Sequence, residues 1–537
     1  MNSESKGPIL DYRFALLYDF NEKRKEQYLF IGLFLLVFLP NILYFIRYTM
    51  LEFRLFLNNV VLLGIILACW KIAHIGKYLG ALLLMVFVAN NGLTIMSFLL
   101  YKESFNVALA YNFLTTNKSE ALEALLTFKV TIVLLFLYYA ALLFGMYRLV
   151  QHKLKARYVL LLTVVLLIYP IGFKSYSFYQ KDKILTGESM GWMAKYNMLT
   201  NTPLYNMASF YEANRFIKEL AEIKKQHMVY PDFSVEDTDL ETIVVVLGES
   251  ARKDALQIYG SSLETTPLLN KRLSNILIYD HAVAPSSFTN TALTFMLSKG
   301  VPVDKKDFKL EALNDNIIGL ANSTQQWETY WLSNQDEIGI YENLYSIITK
   351  DAKHKQHIKE KSHDEVVLPM LEQALQDSSK KRLMFIHLKG SHMKVSERYP
   401  EAFERFHSDD RPLINAYYNS ILYTDYVLDE IIKKVDHQKS IVLYVSDHGQ
   451  TQRKDKFVHG FTQKGLEVPF VIWHSDSVAE RYKIAGRNQT PISTTNIYSI
   501  VSDLMGVKGL ERKDPNTALK VLSPSFNVVR YEDVEID

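Results

Sequence analysis

Cysteine is almost absent from this chain: Cys69 is the only one in 537 residues. No intramolecular disulfide and no cysteine-built metal site can therefore form. The absence says nothing of compartment, because an oxidising compartment permits disulfides without requiring them. An excess of one charge is missing too. A net charge of +2 argues against nucleic acid as the main partner. There is no Walker A loop, and nothing resembling GxGxxG precedes a suitable helix, so neither of those phosphate cradles is expected. No internal repeat and no low-complexity tract occurs. What the chain has in plenty is length, enough for about three to four domains.

Apolar residues make up 49% of the chain, an ordinary share, but most of the excess lies before residue 174. Residues 1–27 are polar and end in Lys23-Arg24-Lys25. No small-residue cleavage site follows, and the next apolar run has the length of a membrane span, so this is not a cleavable signal peptide. Runs follow at Tyr28–Ile46, Phe56–Cys69 (extending toward Ala73), Leu79–Tyr101, Phe128–Val150 and Tyr158–Phe173. About twenty apolar residues cross the hydrocarbon core, and the sequence predicts five transmembrane helices. Buried core helices are the alternative, which five long runs in one third of the chain disfavour. Lys23, Arg24, Lys25, Lys71, Lys77, Arg148, Lys153, Lys155 and Arg157 fall on one side; Arg47, Arg54, Lys102 and Lys118 fall on the other. The bias puts the N-terminus in the cytoplasm. An odd number of spans then carries everything after residue 174 to the far side.

Lys102–Thr127, between the third and fourth runs, is amphipathic and helical in pattern. Asn112, Thr116 and Glu120 stand four apart, a spacing that stacks them on one helix face. By spacing alone a solvated face is the preferred reading. Residues 175–235 carry no Gly/Ser linker and read as a bridging segment of amphipathic helices on the membrane surface, with Tyr176, Phe178, Tyr179 and Trp192 as interfacial residues. From about Glu236 short β-rich runs alternate with helical patterns. The strands are expected at Thr242–Leu247, Ile276–Tyr279, Thr329–Leu332, Leu383–Leu388, Ile441–Ser446 and Pro469–Trp473, and helices at Asp364–Gln376 and Pro412–Val435. Such alternation predicts an α/β fold with a mostly parallel, doubly wound sheet. The domains are then 1–174, 175–235 and 236–537.

Chemistry in such folds sits at the carboxyl ends of strands. The run VVVLGES ends there in Glu249, a carboxylate at the mouth of the sheet or a capping acid on the next helix. Asp447-His448-Gly449 ends the run Ile441–Val445; adjacent Asp and His can offer an oxygen and a nitrogen to one divalent ion, or be a turn Asp beside a surface His. Ala284–Thr294, APSSFTNTALT, places hydroxyls before a helical pattern, where helix N–H groups favour a phosphoryl group and where an ordinary Ser/Thr cap would look the same. His392 and His459 stand in loops, suited to proton transfer or phosphate binding near a metal.

The ordered set of motifs resembles the membrane-anchored phosphoethanolamine transferases of Gram-negative bacteria, in the alkaline phosphatase/sulfatase superfamily. The residues that carry it are GESAR at Gly248–Arg252, YG at Tyr259-Gly260, TTPLLN at Thr265–Asn270, SSFTNTAL at Ser286–Leu293, GSHMKVSERYP at Gly390–Pro400, SDHG at Ser446–Gly449 and HG at His459-Gly460. The resemblance implies an enzyme with a periplasmic, sulfatase-like α/β domain behind a five-helix inner-membrane domain. It implies catalytic zinc, rather than manganese, held by Glu249, Thr291, Asp447 and His448, with Thr291 as nucleophile and Thr289, two residues away, as the rival. His392 and His459 match the substrate-side histidines, which can also hold a second zinc. Asn112, Thr116 and Glu120 match the residues thought to hold the phosphoethanolamine head group. Phosphatidylethanolamine is the implied donor, a lipopolysaccharide-type molecule the acceptor, inner-membrane lipids the surroundings, and a monomer the expected state. The relatives acting on lipid A carry several disulfides in the soluble domain; their absence here favours a core sugar such as heptose. No Cys/Ser-x-Pro-x-Arg sequence occurs, so a formylglycine-type sulfatase nucleophile is excluded. A glycerol-phosphate polymerase of the lipoteichoic acid synthase type and a membrane phosphodiesterase or phosphatase share the expected fold and are the alternatives.

Overall fold

The computed structural model describes residues 74–101, 104–116, 129–150, 203–226 and most of 233–536, with isolated positions elsewhere. Two compact units emerge, one from residues 1–106 and 128–209, the other from 107–127 and 210–537. The helices before the sheet are α1 (His74–Tyr101), α2 (Val107–Thr115), α3 (Lys129–Val150) and α4 (Pro203–Lys224). In the first unit, Leu84, Phe87 and Ile95 of α1 bury against Tyr138 and Leu142 of α3. Other faces leave Leu82, Met85, Val133, Phe136 and Leu137 exposed, as expected of helices apolar all round. Two buried amides pair here: Asn206 Nδ2 donates to Asn90 Oδ1 at 2.9 Å. Among the described residues one helical stretch, Tyr78–Phe98, is long and apolar enough to cross a membrane, and Lys129–Gly145 is a shorter apolar one. One such helix is therefore found where the sequence predicts five; the first and fifth runs and much of the second lie largely outside the described residues.

The second unit is built on an eight-stranded sheet. Its strands are β1 (Thr242–Gly248), β2 (Ile276–Tyr279), β3 (Glu328–Ser333), β4 (His354–His357), β5 (Arg382–His387), β6 (Ser440–Ser446), β7 (Phe470–His474) and β8 (Gly486–Asn488). Their spatial order is β8-β2-β7-β6-β1-β5-β3-β4. All neighbours run parallel except β7, which is antiparallel to both β2 and β6, so the sheet is mixed. β1 is central and buried along its whole length. Val244 and Val246 face one layer with helices α7 (Val367–Leu375) and α8 (Pro412–Val435). Ile243, Val245 and Leu247 face the other, with α5 (Thr289–Leu297), α6 (Ile317–Ser323) and α9 (Ile497–Leu504). Side chains alternate across a strand, and a strand covered on both faces must be apolar at every position. A terminal hairpin, β9 (Lys520–Leu522) with β10 (Val528–Arg530), carries Val521 into a small cluster with Val283 and Leu466.

The helix expected across 102–127 is interrupted at Thr116, and Leu122, Leu125 and Leu126 beyond it are again helical. α2 ends at Thr115, and the exposed Thr116 turns its hydroxyl back onto the Asn112 carbonyl at 2.6 Å. The continuous face of Asn112, Thr116 and Glu120 is thus broken after its first member, and Glu120 lies outside the described residues. α2 is held within the second unit by Tyr111, fully buried, whose hydroxyl accepts the Leu344 N–H at 2.9 Å.

Candidate metal centre and active site

β1 and β6 lie side by side in parallel register, Gly248 opposite Ser446, so their carboxyl ends deliver Glu249 and Asp447-His448 to one place. The chain can turn there because Ser250 adopts a left-handed φ of 61°. Its N–H donates to Asp447 Oδ1 at 3.1 Å and its hydroxyl to Glu249 Oε1 at 2.7 Å. Glu249, Asp447 and His448 are all buried, and one ligand atom from each lies within 4.8 Å of the others. His448 Nε2 is 3.6 Å from Glu249 Oε1 and 3.4 Å from Asp447 Oδ2. On its other side His448 Nδ1 faces the Gly449 carbonyl at 2.8 Å. A ring that donates there keeps its Nε2 lone pair free for a ligand.

Two buried carboxylates with no cation between them repel each other. Burial first, and then the Asp447 charge, push the Glu249 carboxyl well above the usual range. Asp447 Oδ2 is buried and has no hydrogen-bond partner among the described residues. An orphaned carboxylate oxygen facing a second carboxylate and an imidazole nitrogen is a donor set that fits a divalent cation.

A second group, Glu249 with His392 and His459, meets the same distance condition. The His459 ring lies 4.9 Å from that of His448 and 5.6 Å from that of His392, centroid to centroid. Burial, with His448 and His392 alongside, holds His459 well below the ordinary imidazole range. The loop bearing His392 is fixed by Asp364, which accepts the Lys389 and Gly390 N–H groups at 2.8 Å each, and by Gln450, whose amide donates to the Ser391 carbonyl at 3.0 Å. Gly390 has φ 50°, and a Cβ there would stand 2.6 Å from the Glu249 carbonyl oxygen. That glycine lets the two ligand-bearing loops touch.

Thr291, which the resemblance gives as the nucleophile, does not bring its hydroxyl to the cluster. Thr291 is buried, its hydroxyl donating to Ser286 Oγ at 2.6 Å with the Phe288 carbonyl at 3.0 Å. The hydroxyl that reaches the cluster belongs to Thr289, the first residue of α5, at 3.1 Å from Glu249 Oε2 and 3.4 Å from His448 Nε2. The reason is helical phase: residues two apart on a helix point about 200° from each other, so only one of the pair can face the ligands. Glu249, Asp447, His448, His392 and His459 are all brought together as expected.

Sequence reasoning passed over His387, the last residue of β5. It is buried between the Trp331 and Tyr345 rings, and neither ring nitrogen has a hydrogen-bond partner among the described residues. Burial lowers its pKa to about 4. Its place at a strand's carboxyl end was the available signal. Ser250 was also missed, because a serine on a turn carries no pattern of its own.

Residues 241–507 match the sulfatase family model, and residues 16–224 match the model described as the transferase YhbX N-terminal domain. The mixed sheet is that of the alkaline phosphatase/sulfatase-like α/β fold, and the resemblance drawn from the sequence motifs holds. Among curated relatives, YhbX of Escherichia coli (strain K12) is 28% identical over 346 residues, 63% of this chain and 62% of that protein. Phosphoethanolamine transferase EptC of the same strain is 24% identical over 445 residues, 74% of each. Among solved structures, the integral membrane lipooligosaccharide phosphoethanolamine transferase A of Neisseria meningitidis aligns with a TM-score of 0.57 at 20% identity, covering 86% of this chain and 89% of its own. The periplasmic domain of E. coli EptC in complex with Zn aligns at 0.50 and 20%, covering 57% and 98%. The chain spans less than two thirds of the length of the YhbX relatives it matches, and EptC is itself named a phosphoethanolamine transferase.

Proposed function

We propose that this chain transfers phosphoethanolamine from phosphatidylethanolamine to a lipopolysaccharide-type acceptor through a covalent intermediate on Thr289. The observation that carries the reading is the Thr289 hydroxyl at 3.1 Å from Glu249 and 3.4 Å from His448, inside a buried cluster of metal-binding type. Similarity to EptC, itself named a phosphoethanolamine transferase, supplies the group transferred. The scarcity of cysteine favours a core sugar such as heptose over lipid A. The donor is membrane-borne, which suits an inner-membrane protein whose residues 1–174 span the bilayer, 175–235 bridge and 236–537 face the periplasm, because tethering raises the effective concentration of donor head groups.

Glu249, Asp447, His448 and the Thr289 oxygen would hold the ion; one imidazole nitrogen among oxygens suits zinc, in keeping with the zinc in the EptC periplasmic domain. When bound, such an ion makes a hydroxyl more acidic. The Thr289 hydroxyl proton leaves toward Glu249 Oε2, and the oxygen attacks phosphorus. A phosphorus–oxygen bond to Thr289 forms as the bond to diacylglycerol breaks, and His392 protonates the departing oxygen. In the second step His459, held neutral by its surroundings, takes the proton of the acceptor hydroxyl; the acceptor oxygen–phosphorus bond forms as the Thr289 oxygen–phosphorus bond breaks, and the proton on Glu249 returns to Thr289. Asn112, whose Nδ2 is buried without a hydrogen-bond partner among the described residues, binds the phosphoethanolamine head group with Thr116 and Glu120.

The test is mass spectrometry of lipopolysaccharide from cells with and without the gene. A gain of one phosphoethanolamine on a core sugar, lost again with Thr289→Ala, is the expected result. A gain on lipid A or a glucan would change the acceptor alone. No gain on any of them would overturn transfer and favour a phosphodiesterase, in which water takes the acceptor's place.

A further inference from the structure

Ser250 follows Glu249 in a left-handed conformation, φ 61°, which a non-glycine residue adopts at a cost. Such a residue persists only where its surroundings over-determine it. The group that does so here comes from α8. We infer that the hydroxyl of Tyr417 pins Ser250 in this conformation and thereby sets where Glu249 presents its carboxylate. Tyr417 is then a positioning residue for the metal centre. The inference rests on Glu249 being a metal ligand.

Upstream of Glu249 the chain is held by the sheet, where the Asp447 N–H donates to the Gly248 carbonyl at 3.1 Å. Downstream it leaves the sheet, and its backbone groups need other partners. Tyr417 is fully buried; its hydroxyl donates to the Ser250 carbonyl at 2.8 Å and accepts the Arg252 N–H at 2.9 Å. One proton and one lone pair account for both bonds. That carbonyl and that N–H flank Ala251, and in a γ-turn they would bond each other directly. Here both go to the tyrosine hydroxyl. Two further bonds hold the turn, from the Ser250 N–H to Asp447 Oδ1 at 3.1 Å and from the Ala251 N–H to Ser446 Oγ at 2.9 Å. Both lead to the end of β6, which carries the other two ligands. Tyr417 ties the same turn to a helix instead.

The tyrosine is itself fixed. Its ring packs on Phe457, centroids 4.2 Å apart, and Phe457 stands two residues before His459. Three residues on, and so on the same face of α8, Ser420 meets Ser391 hydroxyl to hydroxyl at 2.9 Å, next to His392. One face of α8 therefore touches the loops of Glu249, His392 and His459. The helix is a common reference for ligand-type side chains drawn from three parts of the chain.

Tyr417→Phe keeps the ring and removes the hydroxyl. The experiment measures the zinc dissociation constant of the full-length protein in detergent, by competition with a chelator. The forms compared are the parent, Tyr417→Phe, Ser250→Gly and the double variant. Glycine enters the left-handed region without steric cost, so a protein with Ser250→Gly no longer needs the pin. Tyr417→Phe should weaken zinc binding about ten- to a hundredfold in the parent, the range typical of groups that orient a metal ligand. In the Ser250→Gly background it should change zinc binding by no more than about threefold, because the two residues act through one conformation. An equal loss in both backgrounds would overturn the pin, since a merely structural tyrosine acts whichever residue precedes Ala251. Unchanged zinc binding in Tyr417→Phe would overturn it as well. A parent whose zinc binding does not fall with Glu249→Gln would overturn the metal reading of Glu249, and the pin with it. If Tyr417→Phe folds only in the Ser250→Gly background, zinc binding there decides: a change within about threefold of Ser250→Gly alone supports the pin, and a loss of about tenfold overturns it. Folding in neither background overturns it too, because the tyrosine then holds more than this turn.

Discussion

At the scale of single residues, two threonines two positions apart divide between them what the motif Thr-Asn-Thr left undivided. Thr289 meets Glu249 and His448, while Thr291 turns into the protein toward Ser286. The ligand types themselves were legible: an acid after one apolar run and Asp-His after another are unusual residues to place at buried strand ends. Glu249→Gln keeps the size of the side chain and removes its charge. It should empty the metal site and abolish transfer, read as zinc per protein by elemental analysis and as turnover. A helix cap lost in the same way would cost only about 1 kcal/mol of stability and leave the zinc in place. A second residue-scale expectation concerns Asp425, buried under the helical turn Pro267–Asn270, where it accepts the Leu268 and Leu269 N–H groups at 2.8 and 3.0 Å. Burial outweighs those bonds and lifts its carboxyl to about 7. A carboxyl with a raised folded-state pKa stabilises below the ordinary value of about 4, and the stabilisation is lost as pH rises through 7. Asp425→Asn should remove that slope, seen as a change in the difference between variant and parent melting temperatures across this window. A constant difference would show that Asp425 stays ionised throughout.

At the scale of elements, the site depends on strands ending together. β1 and β6 are neighbours in the sheet although nearly two hundred residues separate Glu249 from Asp447, and β5 on the other flank of β1 brings the loop of His392. Gly390 is where two of these loops come closest. Gly390→Ala would drive a methyl group against the Glu249 backbone at a left-handed φ of 50°, so both strain and displacement act. A loss of about 1–3 kcal/mol in chemical denaturation is expected, together with weaker zinc binding. Gly486→Ala is the control, since its φ of 111° strains the backbone but its Cβ meets nothing within 4 Å; it should lose stability and retain zinc. Most strands were legible from apolar runs between helical patterns, and Pro412–Val435 agrees residue for residue with α8. β4 and β8 were not, because His354–His357 and Gly486–Asn488 are polar edge segments whose strand character comes from pairing with β3 and β2. The antiparallel direction of β7 was equally out of reach, since direction leaves no trace in an apolar run. The helix over 102–127 is interrupted at Thr116, a break that amphipathic spacing does not reveal.

At the scale of the whole molecule, the lone cysteine becomes an experimental advantage. With Cys69 as the only native thiol, a cysteine introduced at Ile536, exposed and near the end of the chain, can be labelled selectively. A maleimide that cannot cross the inner membrane should label Ile536→Cys once the outer membrane is permeabilised, and labelling only after lysis would reverse the proposed orientation. Sequence alone determined the separation of an apolar N-terminal part from an α/β part, because composition and period are properties of consecutive residues. It also determined which strand ends carry ligand-type side chains, because a polar group closing a buried run is visible in one dimension. Tertiary structure alone decided which hydroxyl faces those ligands, which second cluster shares Glu249, and that the His387 ring lies buried beside Trp331 without a hydrogen-bond partner among the described residues. Those facts depend on the phase of α5 and on strand order in the sheet, and both are set by the packing of segments far apart in the chain.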